Sequence, residues 1–91
     1  MWICNKNKHL INVEKVKSFN IVKGKNYYDD DAVLNTYHYI CADGNKIIKT
    51  SSVEEANIEF ENIINFLNGD VSVYNAGGIE MVEDDNGNLL D

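Results

Sequence analysis

Apolar and polar positions change their period once along this 91-residue chain. Through the first half they fall in short runs rich in Val, Ile, Tyr and Thr, the pattern of strands. Residues 1–5 form such a run, closed by the turn-forming Asn5-Lys6-Asn7-Lys8. Residues 9–13 resume it until Glu14-Lys15 interrupts, which predicts a bulge or a short helical turn. A strand is expected over 16–23, a polar loop over 24–31, and the clearest strand over 32–42, with its Tyr, Ile, Val and Thr. Asp43-Gly44-Asn45 tolerates positive φ and predicts a turn, with residues 46–51 returning as the second arm of a hairpin.

From Ser52 onward the period becomes helical. Ser52 is the expected N-cap, and Glu55 three residues on completes a capping box. Glu54 and Glu55 also place negative charge on the positive end of the helix dipole. Apolar residues then recur at Val53, Ala56, Phe60, Ile63, Ile64 and Leu67, a single stripe. Gly69 stands where a left-handed C-terminal cap is expected, so the helix is predicted over 53–68. Ile58 and Phe66 fall off the stripe, on the far side at about 100° per residue. Two bulky residues there predict a second layer. Its expected source is a short hairpin from 71–74 and 79–82 around Asn75-Ala76-Gly77-Gly78, packing over the helix or extending the sheet, or else a homodimer interface.

The pattern therefore predicts an α+β fold: an antiparallel β-meander of four to five strands, one C-terminal amphipathic helix across it, and a short C-terminal β-hairpin. Residues 1–82 are expected to form one domain and 83–91 an acidic flexible tail.

Charge sharpens this picture. The net charge is −7, with eight Lys and no Arg. Residues 1–28 carry a balance of +5, residues 29–69 of −6 and residues 70–91 of −6. Opposite signs at the two ends favour their approach, within one molecule or between two. No signal-like apolar core opens the chain and no run nears the ~20 residues of a membrane span. Cys4 and Cys41 lack C-x-x-C spacing, which fits reduced thiols in a cytoplasmic protein with no membrane association.

Candidate chemistry is sparse. His9 and His38 are the only histidines, and neither Cys4–His9 nor His38–Cys41 shows a third, orienting group, so no catalytic residues are assigned and the chain is expected not to be an enzyme. The Cys and His positions also lack paired zinc spacing, and Asp84-Asp85-Asn86-Gly87-Asn88 ends too early for a calcium loop, so no metal or cofactor is expected. Direct nucleic-acid binding is disfavoured by the net charge and the missing Arg.

Met1-Trp2-Ile3, Leu10-Ile11-Asn12-Val13, the Tyr-rich strand, the Gly-containing turn and Ser52-Val53-Glu54-Glu55-Ala56 together resemble a group of small proteins of low-GC Gram-positive bacteria and their phages and mobile elements. The resemblance covers about residues 1–68. It implies a β-meander plus helix and a mobile-element setting, and it brings no catalytic residues. The chain departs from the group after Gly69.

The leading expectation is a small acidic binding protein that inhibits a host macromolecule, an immunity component, by occupying a basic surface. Its contact residues are expected to be Glu54, Glu55, Ile58, Glu59, Glu61, Phe66 and Asp70, with the later acids. One alternative is an oligomeric protein that binds or sequesters a nucleotide, with Trp2, Tyr37 and Tyr39 lining the pocket and Lys meeting phosphate. The other is a structural protein that associates with itself.

Overall fold

The computed structural model describes residues 1–90. In it, six strands and one helix form two sheets around a shared core: β1 (Trp2–Cys4), β2 (Leu10–Asn12), β3 (Phe19–Tyr28), β4 (Leu34–Ala42), β5 (Asn45–Thr50), α1 (Val53–Leu67) and β6 (Val73–Asn75). The fold is α+β, as the pattern predicts.

The expected meander is divided. β3, β4 and β5 form a three-stranded antiparallel sheet, while β1 and β2 pair separately in a small sheet of order β2-β1-β6. The cause lies at Glu14-Lys15. A 3₁₀ turn over Val13–Lys15, capped by the Asn12 side chain, breaks the strand and turns the chain out of the first sheet. The Asp43 carboxylate then receives the backbone N–H groups of Lys17 and Ser18 at 3.0–3.1 Å and fixes the entry to β3. Asn5 joins the two sheets: its amide donates to the Ile47 carbonyl at 2.9 Å while its oxygen accepts the His9 N–H.

Three further expectations are corrected. The predicted loop over 24–31 is strand as far as Tyr28, because cross-strand pairs such as Asn26–Thr36 and Tyr27–Asn35 carry the ladder outward. Gly69 is not a left-handed cap, since the helix closes on Asn68, whose φ is −94° and whose N–H reaches the Ile64 carbonyl. Finally, residues 71–74 and 79–82 do not pair with each other. β6 instead lies parallel to β1, Trp2 opposite Val73, and the later run contributes an isolated bridge from Ile79 to Lys49 on β5.

The helix is rotated relative to its apolar stripe. Its buried residues are Ala56, Glu59, Ile63 and Phe66, and Phe66 is only 7% exposed. Phe66 thus belongs to the core with Ile3, Ile40 and Ile48, not to the far face. Ile64 and Leu67, expected inside, lie on the exposed edge at 44% and 37%. The rotation follows from β6, whose Tyr74 ring packs on Phe66 with centroids 5.7 Å apart and draws that flank of the helix inward.

After β6 the chain crosses the edge of β5 to the opposite face of the larger sheet. Gly77 and Gly78 make the crossing, and a Cβ at either would clash, at Gly77 with the Glu59 carboxylate and at Gly78 with the Lys49 carbonyl. Gly78 also has φ +89°, which only glycine adopts without strain. Met81 and Leu89 then cover Tyr39 and Cys41. The second layer expected over the helix therefore lies over the sheet. Residues beyond it close a turn on the Asp84 carboxylate, and the Leu90 N–H donates to the Val82 carbonyl at 2.8 Å.

Candidate functional site

Two surfaces gather chemistry. The first is the outer ridge of α1. Glu54, Ile58 and Glu61 follow one another at i, i+4 and i+7, a single helical line, and all three are exposed. Ile58 is 62% exposed and no segment of the fold covers it. Among the described residues the ion pairs are the Met1 ammonium with Glu14 at 3.5 Å and His9 with Glu83 at 2.9 Å. Glu54, Glu61 and the exposed Asp70 thus present unneutralised charge. The two ends of the chain do meet, but chiefly through hydrogen bonds, as Asn7 clasps the Met81 backbone on both sides and reaches Glu83.

Of the remaining residues expected on that surface, Glu59 and Phe66 are buried in the fold, while Glu55 is half-buried and hydrogen-bonded at the helix start. Glu55 takes the Ser51 hydroxyl at 2.6 Å and the Ser51 N–H at 3.1 Å, while Ser52 caps the Glu55 N–H. Glu59 is buried and accepts from the Tyr74 hydroxyl at 2.6 Å and the Gly77 N–H at 3.1 Å. Burial, and then this carboxylate, push the Tyr74 phenol far above its usual range.

The second surface is the face of the larger sheet turned away from the helix. Two β-bulges assemble it. Between the pairs Lys23–His38 and Asn26–Thr36, two residues of β3, Gly24 and Lys25, stand opposite Tyr37 alone. The extra residue reverses the alternation along β3 and brings Tyr27 to the side of Val22 and Tyr39. In β5 the register slips between Ile48 and Lys46, leaving Ile47 as the added residue. Residues three apart on a regular strand face opposite ways, yet this slip sets Lys46 and Lys49 on the same face. The Lys46 ammonium lies 4.4 Å from the Tyr39 ring centre and that of Lys49 lies 4.0 Å from Tyr37.

Tyr27 stacks on Tyr37 with centroids 4.1 Å apart and planes 17° apart, and Tyr39 is tilted against Tyr37 at 6.5 Å. Gly24 is required beneath them, because a Cβ there would stand 2.5 Å from the Tyr39 ring. A cavity of about 180 Å³ opens among Lys25, Asn26, Tyr27, Tyr37, Tyr39, Lys46 and Leu90. Desolvation raises the Tyr27 phenol, with the neighbouring Tyr37 adding to it. Burial raises the Cys41 thiol while Lys46 opposes the shift, so Cys41 is held as a neutral thiol.

Of the aromatic trio expected for a small-molecule pocket, Tyr37 and Tyr39 line this cavity, while Trp2 stands on β1 in the other sheet. Tyr27, Lys25 and Lys46 escaped the sequence pattern because two bulges place them. Cys4 pairs in register with Leu10, and His9 turns to Glu83. His38 and Cys41 face opposite sides of β4. Among the described residues no three His, Cys, Asp or Glu side chains converge as metal ligands, and no helix is long and apolar enough to cross a membrane. Asp29 and Asp84 each close an exposed loop, and their backbone hydrogen bonds, led by Val33 and Asn88, hold both carboxyls below the usual range.

Comparison with protein-family models, curated proteins and solved structures finds no match to this chain.

Proposed function

We propose that the protein is a non-enzymatic binding protein of phage or mobile-element type, which inhibits a host immunity component by occupying a basic surface. The outer ridge of α1 carries this reading: Ile58 stands uncovered between Glu54 and Glu61, whose charges find no ion-pair partner among the described residues. An apolar side chain ringed by charge is the arrangement of an interface centre with a polar rim. The charge steers the approach to a cationic partner, and Ile58 gains by losing contact with water. Fifteen helical residues span only ~22 Å, and in this reading the exposed Asp70 and Val71 beyond the helix also belong to the contact surface.

The test is capture by the immobilised protein from a lysate of a low-GC Gram-positive host, washed at low and high salt. A specific band is expected at about 0.1 M NaCl and its release near 0.5 M, where charges are screened over about 4 Å. A band that resists 0.5 M salt, or no band at either concentration, contradicts the proposal.

A further inference from the structure

We propose that the tyrosine face of the β3–β5 sheet is a second binding site, and that its ligand is a mononucleotide. Its base would seat among Tyr27, Tyr37 and Tyr39 and its phosphate between Lys25 and Lys46. The inference is independent of the helix ridge, which lies on the other side of the sheet.

Three observations converge. The first is the composition of the wall. In a chain of net charge −7, the described residues that line the cavity are three tyrosines, two lysines, Asn26 and Leu90, with no carboxylate among them. Lys25 and Lys46 have no acidic partner among the described residues, so their charge is directed at whatever enters. An ammonium beside an aromatic ring suits a ligand that is planar at one end and anionic at the other.

The second is the cost of the arrangement. Two bulges and one obligatory glycine are spent on bringing Tyr27, Lys46 and Tyr39 to one face. The β3 bulge is not needed to close the core on the helix side, where Ile21 and Ile40 already meet in register. The β5 bulge both aims Lys46 at the tyrosine face and turns Ile47 into that core. Bulges that re-aim side chains are characteristic of sites.

The third is size. A cavity of about 180 Å³ slightly exceeds the ~150 Å³ that holds one benzene ring, so it admits a single base and leaves the sugar and phosphate at its mouth. Lys25, exposed on the bulge, lines the cavity within reach of solvent. A strand of nucleic acid is disfavoured, because it would have to pass the acidic remainder of the surface and no Arg is present to grip its backbone.

Isothermal titration of the full chain with AMP, GMP, CMP and UMP tests the proposal, with ribose 5-phosphate and a ten-nucleotide single strand as the other arms. At least one mononucleotide is expected to bind with Kd below about 1 mM and at least tenfold more tightly than ribose 5-phosphate. Lys25→Glu, an exposed change that leaves the fold intact by circular dichroism, is expected to weaken it at least fivefold. Tyr27→Leu is expected to weaken the mononucleotide and not ribose 5-phosphate. The proposal is overturned if no mononucleotide binds at 5 mM, about five times that limit. Ribose 5-phosphate binding equally well, Lys25→Glu leaving affinity unchanged, or the single strand binding more tightly would each overturn it too.

Discussion

The Tyr74 hydroxyl donates a 2.6 Å hydrogen bond to the Glu59 carboxylate, and through it β6 is fastened to the flank of α1. The same carboxylate receives the Gly77 N–H, so one acidic side chain fixes both the parallel strand and the point where the chain crosses β5. Glu59→Ala leaves two donors without a partner and is expected to cost about 2–3 kcal/mol in urea unfolding. Glu59→Gln keeps one acceptor and is expected to cost about half as much. A loss below about 0.5 kcal/mol for Glu59→Ala would mean that the clasp contributes nothing beyond a solvated contact.

Alkaline pH acts on the same clasp. Burial and Glu59 raise the folded-state pKa of Tyr74 above its ordinary value of 10.0. A raised pKa means that the folded state holds its proton longer than the unfolded chain does. Its contribution is therefore complete below about pH 10 and is lost as pH rises from there toward the folded value. Chemical denaturation between pH 9 and 11.5 is expected to show a steeper decline for the wild type than for Tyr74→Phe. Parallel curves would remove this account of the clasp.

The helix itself separates what the sequence shows from what only the fold decides. Its start is legible because capping is local: Ser52 and Glu55 act within four residues of each other. The Asp43-Gly44-Asn45 turn is legible for the same reason, with Asp43 at φ +50° and Gly44 at +83°. The rotation of the helix is not local. Phe66 is drawn inward by Tyr74, eight residues on, and the parallel pairing of β6 with β1 joins residues about seventy positions apart. Nothing in the apolar stripe encodes that. The tyrosine face was half legible, since Tyr37 and Tyr39 alternate on a strand, while Tyr27, Lys25 and Lys46 depend on bulges that carry no distinct local signature.

A pair of alanine substitutions measures the rotation. Phe66→Ala is expected to cost about 3–5 kcal/mol, as for a large core side chain. Ile58→Ala is expected to stay within about 0.5 kcal/mol, as for a surface change. Similar costs for the two would return Phe66 to the outer face and undo the assignment of the ridge.

Gly24 supports the tyrosine face from beneath. Gly24→Ala places a methyl group 2.5 Å from the Tyr39 ring and 3.1 Å from the Tyr37 carbonyl, and the strand backbone cannot yield far. A cost of about 1–3 kcal/mol in thermal or urea unfolding is expected, the range for overpacking. Gly87→Ala is a useful contrast, since no atom lies near its Cβ and only its φ of +81° is strained. A neutral Gly24→Ala would show that the Tyr39 ring does not crowd this glycine.

The central claim is that a basic partner docks on the outer ridge of α1 rather than on acidic surface in general. It is tested most directly by two charge-matched double variants, Glu54→Lys/Glu61→Lys on the ridge and Asp30→Lys/Asp85→Lys away from it, assayed for affinity toward the captured partner. Both raise the net charge equally, so long-range attraction falls alike and only the location differs. The ridge variant is expected to lose at least tenfold in affinity, about 1.4 kcal/mol, and the control less than threefold. Equal losses, or a larger loss in the control, would contradict the claim.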